Sequence, residues 1–338
     1  MSTKKPASKN RSKTANRTTR TFALEDSKRL RDLCGPGHRN LQVLELQLTE
    51  FDLKVESQGG EIRIDGEGKG PALAEQALIA FSDRVEAGAE PSAFELEGVI
   101  RLVRDDAPTA GAVSGDVIFG LNKPITPQTP GQRAYIQTLR DEEAGLVFGT
   151  GPAGTGKTFL AVAVGASELK SGKRERLIVA RPAVEAGEKL GFLPGDLEDK
   201  VDPYMLPIWD ALNELLGAQE VERRKLRKEI EVAPLAFMRG RTLKNAFVII
   251  DEAQNASIPQ MKMVLTRLGR GSRMVVTGDP SQTDLPDKSP SGLAHGMRIL
   301  NGVSGVAQTA LTADDIVRHD LVARIVTAYD KDEMKRDG

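Results

Sequence analysis

The sequence contains little cysteine, histidine or aromatic residue. Cys34 is its single cysteine, so one chain forms no internal disulfide, which suits a reducing cytoplasm. The three histidines (His38, His295 and His319) are far apart without paired spacing, which argues against a zinc-type site. Aromatic residues make up 4% of the chain, so few rings are available to stack on bases, and any nucleic acid is expected to be recognised through its backbone.

Long apolar runs are also missing. No run approaches the roughly 20 residues that a membrane-spanning helix needs, and the basic N-terminal stretch has no apolar core of the kind found in secretory signals. We therefore expect a cytoplasmic protein without a membrane partner. A chain of 338 residues is long enough for two domains, one of them with a substantial core.

The net charge of -1 conceals a basic N-terminus. Residues 1–20 contain seven Lys and Arg residues and no acid, among Ser, Thr, Asn and Ala. A segment of this composition cannot bury enough apolar surface to fold alone, so we predict a disordered basic arm. Its two interpretations are a solvated tail and an electrostatic tether for nucleic acid.

A small α+β domain is predicted over residues 21–106. Its pattern indicates a helix at 21–35, a second element at 40–48 that suits a helix or a strand, a hairpin around Gly59-Gly60 and a helix at 71–87. This order is compatible with a KH-like nucleic-acid-binding fold. However, no Gly-x-x-Gly clamp stands between two helices, and the glycines at 66–70 are typical of a plain turn.

Residues 107–131 are rich in Pro, Gly and Thr and are predicted to form an extended linker. From Leu146 onward, strand and helix patterns alternate, which favours a mostly parallel sheet covered by helices on both faces. We place this α/β domain at 132–330, followed by a tail at 331–338.

A phosphate-binding loop occupies residues 151–158. It follows the apolar run 146–148 and precedes a helical stretch that begins near Phe159, whereas a chance glycine-rich turn would not need those flanks. Lys157 can place a charge at the β- and γ-phosphates, and the Thr158 hydroxyl can ligate Mg²⁺. The residues assigned to nucleotide binding are Gly151, Pro152, Ala153, Gly154, Thr155, Gly156, Lys157 and Thr158.

A second motif follows the apolar run Phe247–Ile250, which is typical of a buried strand. Asp251 and Glu252 come directly after it, and ligands bind at the carboxyl ends of such strands. Asp251 can hold Mg²⁺ through water, and Glu252 can polarise the attacking water. The alternative is an exposed helix N-terminus that favours acidic residues.

Two glutamines are further candidates. Gln282 follows the strand pattern at 274–277 and can sense the γ-phosphate or position water, unless Asp279-Pro280 forms only a turn. Gln132 lies ahead of the P-loop strand, where its amide can pair with the adenine edge, although the residues alone favour an ordinary helix start.

A long excursion, 181–243, separates two core strands. Its charged run at 222–229 and Arg239-Gly240-Arg241 are either solvated surface or phosphate contacts.

Taken together, several motifs resemble those of the bacterial PhoH-like ATPase family. The resemblance runs from about Pro124 to Tyr329 and is less specific over the first domain. The motifs are Gly-Pro-Ala-Gly-Thr-Gly-Lys-Thr at 151–158, Ala-Arg-Pro at 180–182, Gly-Phe-Leu-Pro-Gly at 191–195, Arg-Gly-Arg-Thr at 239–242, Asp-Glu-Ala-Gln-Asn at 251–255 and Thr-Gly-Asp-Pro-Ser-Gln at 277–282.

The resemblance implies a RecA-like P-loop NTPase core similar to the first motor domain of superfamily-one helicases. By that analogy Gln132 reads adenine, Asp251 and Glu252 handle Mg²⁺ and water, and Gln282 contacts the γ-phosphate. It also implies cytoplasmic, Mg²⁺-dependent ATP hydrolysis linked to RNA metabolism. Some members of this family act beside the endoribonuclease YbeY in ribosomal RNA maturation.

Helicases supply an arginine to the γ-phosphate from a second RecA-like domain, and we expect no such domain after residue 330. We therefore predict a homo-oligomeric ring, a hexamer, in which a neighbour supplies this arginine, because such a group accelerates phosphoryl transfer roughly 10³–10⁵-fold. The candidates are Arg267, Arg270 and Arg318, each of which can instead be a structural salt-bridge partner.

The leading hypothesis is an oligomeric Mg²⁺-dependent ATPase that remodels or unwinds RNA. The alternative is a nucleotide-state switch that controls docking of a nuclease partner without strand translocation. A metabolite kinase is weaker, since no acceptor pocket is identifiable and the Asp251-Glu252 pair suits water activation. The preference for ATP over GTP rests on Gln132 alone.

Overall fold

A computed structural model describes residues 17–24, 26–104, 116–182, 197–285 and 290–317. Contacts among these residues separate two compact units. Residues 17–86 with 90–104 form the first, and residues 116–317 belong to the second.

The first unit combines a three-stranded antiparallel sheet, in the order β1-β3-β2, with four helices. Ile62 and Ile64 on the central strand are fully buried, so the apolar face of the sheet belongs to the core of this unit. The elements are β1 (Arg17–Ala23), α1 (Ser27–Cys34), α2 (Arg39–Gln47), β2 (Lys54–Gln58), β3 (Glu61–Glu67), α3 (Gly70–Glu86) and α4 (Ala93–Arg104).

The predicted hairpin and the helices at 40–48 and 71–87 are confirmed, whereas the start of the domain is corrected. Residues 17–20 belong to β1 and not to a disordered arm, and the helix predicted at 21–35 begins only at Ser27. Pairing with β3 orders this polar, threonine-rich strand, and Arg17 also contacts Asp52 and Asp65 at 2.6 Å. Residues 1–16 lie outside the described residues. The KH-like character and nucleic-acid binding stay predictions.

The second unit contains a six-stranded sheet and six helices within the described ranges. Its strands are β4 (Leu146–Thr150), β5 (Arg176–Arg181), β6 (Ile230–Pro234), β7 (Ala246–Ile250), β8 (Arg273–Gly278) and β9 (Val306–Ala310). Its helices are α5 (Pro130–Arg140), α6 (Lys157–Lys170), α7 (Leu197–Leu216), α8 (Ala218–Leu226), α9 (Ile258–Leu265) and α10 (Gly292–Ile299).

The strand order is β6-β5-β7-β8-β4-β9, and every pair is parallel. Alternate residues of β7 enter two different core clusters, Phe247 and Ile249 one, Val248 and Ile250 the other. The sheet is therefore buried on both faces, as its continuous apolar strands predict. This order, with the P-loop strand between β8 and β9, is that of a RecA-like P-loop NTPase and confirms the predicted fold class.

Two predictions about the boundaries of this unit need correction. The linker predicted at 107–131 does not extend past residue 115, because Ile118 and Ile125 form an antiparallel bridge and are buried in the core. Composition alone misses this, since two apolar side chains are enough to anchor a Pro-rich stretch. The excursion at 181–243 contributes α7, α8 and the edge strand β6. Residues 105–115 and 183–196 lie outside the described parts.

The sequence pattern predicts a last strand near residues 303–311, and β9 confirms it. The pattern also predicts a helix over 314–329, of which the described residues contain only a short turn at Ala313–Asp315; the predicted tail lies outside them. Within the described ranges, none of the helices has the length and apolar character needed to span a bilayer.

Candidate nucleotide-binding site

The register of the parallel sheet brings four strand ends to one edge. Ala180 pairs with Ile250, Ile250 with Val276, and Thr150 with Gly278. Residues that follow these positions therefore lie side by side at the carboxyl edge of the sheet. In open α/β sheets this edge is where ligands bind.

A cleft of about 300 Å³ opens at this edge. Three separately predicted motifs line it: the P-loop, the acidic pair and the glutamine after β8. The lining residues include Ala153, Gly154, Gly156, Lys157, Thr158, Asp251, Glu252, Asp279 and Gln282.

Glycine is required at both ends of the P-loop. Gly151 has a φ of 141°, and a Cβ there would lie 2.4 Å from the Leu311 carbonyl oxygen. Gly156 has a φ of 84° directly before α6, a left-handed conformation that side-chain-bearing residues rarely adopt. The loop can therefore turn tightly from β4 into the N-terminus of α6, where the helix dipole favours phosphate.

Lys157 is the buried cation of the cleft, with 8% of its surface exposed. Its ammonium group donates to the carbonyl oxygens of Gly151 and Pro152, both at 2.7 Å. Burial lowers the pKa of Lys157, while the negative charges of Asp279, Glu252 and Asp251 act in the opposite direction. The ammonium group thus lies in a partly dehydrated site, under the electrostatic influence of these carboxylates.

Thr158 and Asp251 form a pair suited to a hard cation. The Thr158 hydroxyl donates to Asp251 Oδ1 at 2.6 Å, and the buried Thr277 hydroxyl donates to the same oxygen at 2.8 Å. A hydroxyl and a carboxylate oxygen at this separation are the ligand types that Mg²⁺ prefers. The residues present therefore fit the ion that P-loop proteins use.

Glu252 is held by two partners for which the sequence suggested no role. Its backbone is left-handed, with a φ of 49°, and its carboxylate forms an ion pair with Arg181 at 3.1 Å. Its other oxygen accepts a hydrogen bond from Gln254 Nε2 at 2.5 Å. The side-chain oxygen of Gln254, Oε1, in turn accepts from the Asp279 backbone N–H at 3.1 Å. Gln254 therefore connects the acidic pair to the loop after β8.

Gln282 lines the cleft with an exposed side chain. The preceding turn is organised by Asp279, whose carboxylate accepts from the Ser281 N–H at 3.0 Å and hydroxyl at 2.6 Å. The turn expected at Asp279-Pro280 and the cleft position of Gln282 thus coexist.

Gln132 lies next to the P-loop, and its side-chain amide forms hydrogen bonds with backbone groups. Its Oε1 accepts from the Gln128 N–H at 2.8 Å, and its Nε2 donates to the Thr155 carbonyl at 3.1 Å. The observed contacts brace the P-loop against the start of α5. Adenine recognition by Gln132 stays a prediction.

Two of the candidate finger arginines, Arg267 and Arg270, lie away from the cleft. The backbone carbonyls of Arg267 and Arg270 accept from Leu243 and Asn245, just before β7 begins, which places these arginines at the amino edge of the sheet. The Arg267 guanidinium donates to the carbonyls of Met263 and Arg241, whereas the Arg270 side chain is exposed. Arg318 lies outside the described residues.

The two basic stretches of the excursion are largely paired internally. Arg224 contacts Glu220 at 2.6 Å and Glu229 at 2.7 Å, and Arg241 forms a two-pronged pair with Glu231. These contacts favour the structural interpretation over phosphate binding.

A P-loop and a strand-end acidic pair that share one cleft on a RecA-like sheet define the class of nucleotide-hydrolysing P-loop proteins. The chain belongs to the PhoH-like protein family, whose family profile matches residues 124–330.

Individual relatives agree with this assignment. The chain is 45% identical over 291 residues to the PhoH-like protein of Bacillus subtilis, covering 85% of this chain and 91% of that protein. It is 56% identical over 202 residues to the PhoH-like protein of Synechocystis sp., covering 60% and 61% of the two chains. Protein PhoH of Escherichia coli is 42% identical over 209 residues, covering 61% and 58%.

Proposed function

We propose that this protein is a Mg²⁺-dependent ATPase that works as a homo-oligomer and couples ATP hydrolysis to the remodelling or unwinding of RNA. The observation that carries the hydrolytic part is the single cleft into which β4, β7 and β8 deliver a P-loop lysine, an acidic pair and a glutamine. Membership of the PhoH-like family supports the same chemistry.

Each residue of the cleft has a role in this proposal. Lys157 binds the β- and γ-phosphates, and Gln282 contacts the γ-phosphate. Thr158 and Asp251 would hold Mg²⁺, which when bound neutralises charge on the phosphate oxygens. Glu252 orients the attacking water and accepts its proton while ADP departs with the leaving oxygen.

The RNA part of the proposal rests on the resemblance of the core motifs to those of RNA and DNA motors. Ribosomal RNA maturation beside a YbeY-like endoribonuclease, in the cytoplasm, is the cellular setting that this resemblance suggests. The single, buried Cys34 is consistent with a reducing compartment.

The oligomer in this proposal is a hexameric ring with an arginine supplied in trans. Arg270 fits this role best among the described candidates, because its exposed side chain lies at the opposite edge of the sheet from its own cleft. Strands of five or six residues separate the two edges by about 17 Å or more. Arg270→Ala should therefore leave nucleotide affinity nearly unchanged and lower turnover about 10³-fold, and a parallel fall in both would exclude Arg270.

The test of the function compares ATP turnover by the wild type and Glu252→Gln, with and without single-stranded RNA, at several protein concentrations. We expect turnover that rises steeply with protein concentration, increases with RNA and is lost in Glu252→Gln. Glu143→Gln is the matched control, since Glu143 is exposed at the amino edge, ahead of β4. Turnover that needs Glu252 but ignores RNA would replace the motor by a nucleotide-state switch for a protein partner.

A further inference from the structure

Arg181 lies between the carboxyl edge of the sheet and helix α7. It is the last residue of β5, next to β7, and 22% of its side chain is exposed. One guanidinium nitrogen contacts Glu252 at 3.1 Å, and the other donates to the Tyr204 carbonyl of α7 at 2.9 Å. A single side chain thus connects α7 to the carboxylate proposed to activate water.

In this conformation Glu252 is poorly placed to act as a base. One of its oxygens faces the Arg181 guanidinium and the other accepts from Gln254. A carboxylate whose two oxygens both contact protein donors has fewer lone pairs free to hold and orient a water molecule than a released one. Full activity therefore requires that at least one of these contacts be broken or redirected.

Arg181 is the contact that an external ligand can redirect. Gln254 is buried, whereas Arg181 is partly exposed, and a partly exposed ion pair is weak enough for a second anion to compete. A guanidinium binds phosphate oxygens in the same two-pronged way in which it binds a carboxylate. The adjacent Tyr204, a residue that is 46% exposed, offers an aromatic side chain on which a base can stack.

We propose that Arg181 is a positioning residue that restrains Glu252, and that a phosphate of single-stranded RNA bound across the end of β5 and Tyr204 takes over the guanidinium and frees the carboxylate. The inference rests on the RNA-coupled ATPase proposed above and gives that coupling a physical route. RNA raises turnover in this scheme by releasing Glu252.

The experiment compares wild type, Arg181→Ala and Arg176→Ala for turnover without RNA, for turnover with saturating oligouridylate and for oligouridylate affinity over a salt series. Arg176 begins the same strand at the opposite edge and donates to the Lys244 carbonyl at 3.1 Å, so its variant is the matched control. We expect the RNA-free turnover of Arg181→Ala to rise to the RNA-stimulated level of the wild type. RNA should then add less than about twofold, and the salt slope should fall by about 1.

Two further variants separate the loss of the Arg181 charge from a structural effect of the substitution. Arg181→Lys retains a cation and should preserve part of the RNA stimulation, which a purely structural loss would not predict. Arg181→Ala combined with Glu252→Gln should be inactive, because the raised turnover passes through Glu252.

Opposite results would overturn the inference. RNA-free turnover in Arg181→Ala that is unchanged or lower than in the wild type, with the stimulation ratio retained, would show that Arg181 does not restrain Glu252. In that case the wild type is still stimulated by RNA and Glu252→Gln is still inactive, so only the Arg181 variants contradict the expectation. Failure of the proposed function is visible earlier, in a wild type that ignores RNA or a Glu252→Gln variant that stays active, and it would remove the inference too.

Discussion

The two edges of the six-stranded sheet differ in the partners that they provide for a buried cation. At the amino edge, Arg273 is 1% exposed, donates to the carbonyls of Leu139 and Asp141, and lies 3.7 Å from the buried Glu168. At the carboxyl edge, Lys157 is nearly as buried, and the described partners of its ammonium group are two carbonyls of its own loop.

This difference separates stability from function. Lys173 and Arg174 also contact Glu168, each at 3.2 Å, so charge at the amino edge is matched by protein partners. Burial lowers the pKa of Arg273 and of Lys157 alike, so the two edges differ in their partners. Within the described ranges Lys157 forms no ion pair, although nearby carboxylates oppose the fall in its pKa. The amino edge is therefore built to hold the fold, and the carboxyl edge retains a dehydrated cation that suits an anionic ligand.

The largest effect is expected from Lys157→Met. Turnover should fall at least about 10³-fold, because the charge on the transferred phosphate loses a preorganised donor. The melting temperature at pH 7 should not fall, since a cation that is costly to bury is removed. The exposed Lys170, in the last turn of the same helix, provides the control Lys170→Met, for which activity should stay at the wild-type level.

The pH dependence of unfolding checks the same point. The pKa of folded Lys157 lies below its ordinary value of 10.5, so the unfolded chain binds the proton more tightly. The wild type is therefore penalised at neutral pH and regains stability as the pH rises through the folded pKa towards 10.5. The advantage of Lys157→Met should shrink over that range, whereas an advantage independent of pH would point to packing.

The next effect is on stability at the amino edge. Arg273→Met should lower the free energy of unfolding by about 3–5 kcal/mol, because Glu168 then loses a buried partner. Denaturant unfolding measures this change, and turnover per folded molecule should not change. Adding Glu168→Gln should recover part of the loss, and a double variant no better than Arg273→Met alone would argue that the carbonyl contacts dominate.

The smallest effect on stability is expected at Gln132, whose side chain connects Gln128, just before α5, to Thr155 in the P-loop. Gln132→Ala should lower the free energy of unfolding by about 1–3 kcal/mol, because two buried backbone groups lose their partner. These groups are the Gln128 N–H and the Thr155 carbonyl. The KM values for ATP and GTP should rise by the same factor. A rise confined to ATP would instead establish direct reading of adenine.

Local patterns were sufficient for the elements that carry the nucleotide site. The P-loop between β4 and α6 and the acidic pair after β7 are contiguous in sequence, and buried parallel strands are recognisable as apolar runs. Patterns failed where order depends on a partner elsewhere in the chain. β1 is a polar stretch that pairing with β3 organises, and Ile118 belongs to a core cluster that includes Val147 and Val164.

The sequence by itself determined the class of chemistry, because the spacing of Gly151, Lys157, Thr158 and the pair Asp251-Glu252 is fixed along the chain. Only the tertiary structure decided what those groups contact. The Arg181–Glu252 ion pair joins residues from two strands whose register aligns Ala180 with Ile250. The bond from Gln254 to the loop after β8 likewise depends on β7 lying beside β8. Such contacts depend on which strands are neighbours in the sheet, and no local pattern of side chains encodes that spatial order.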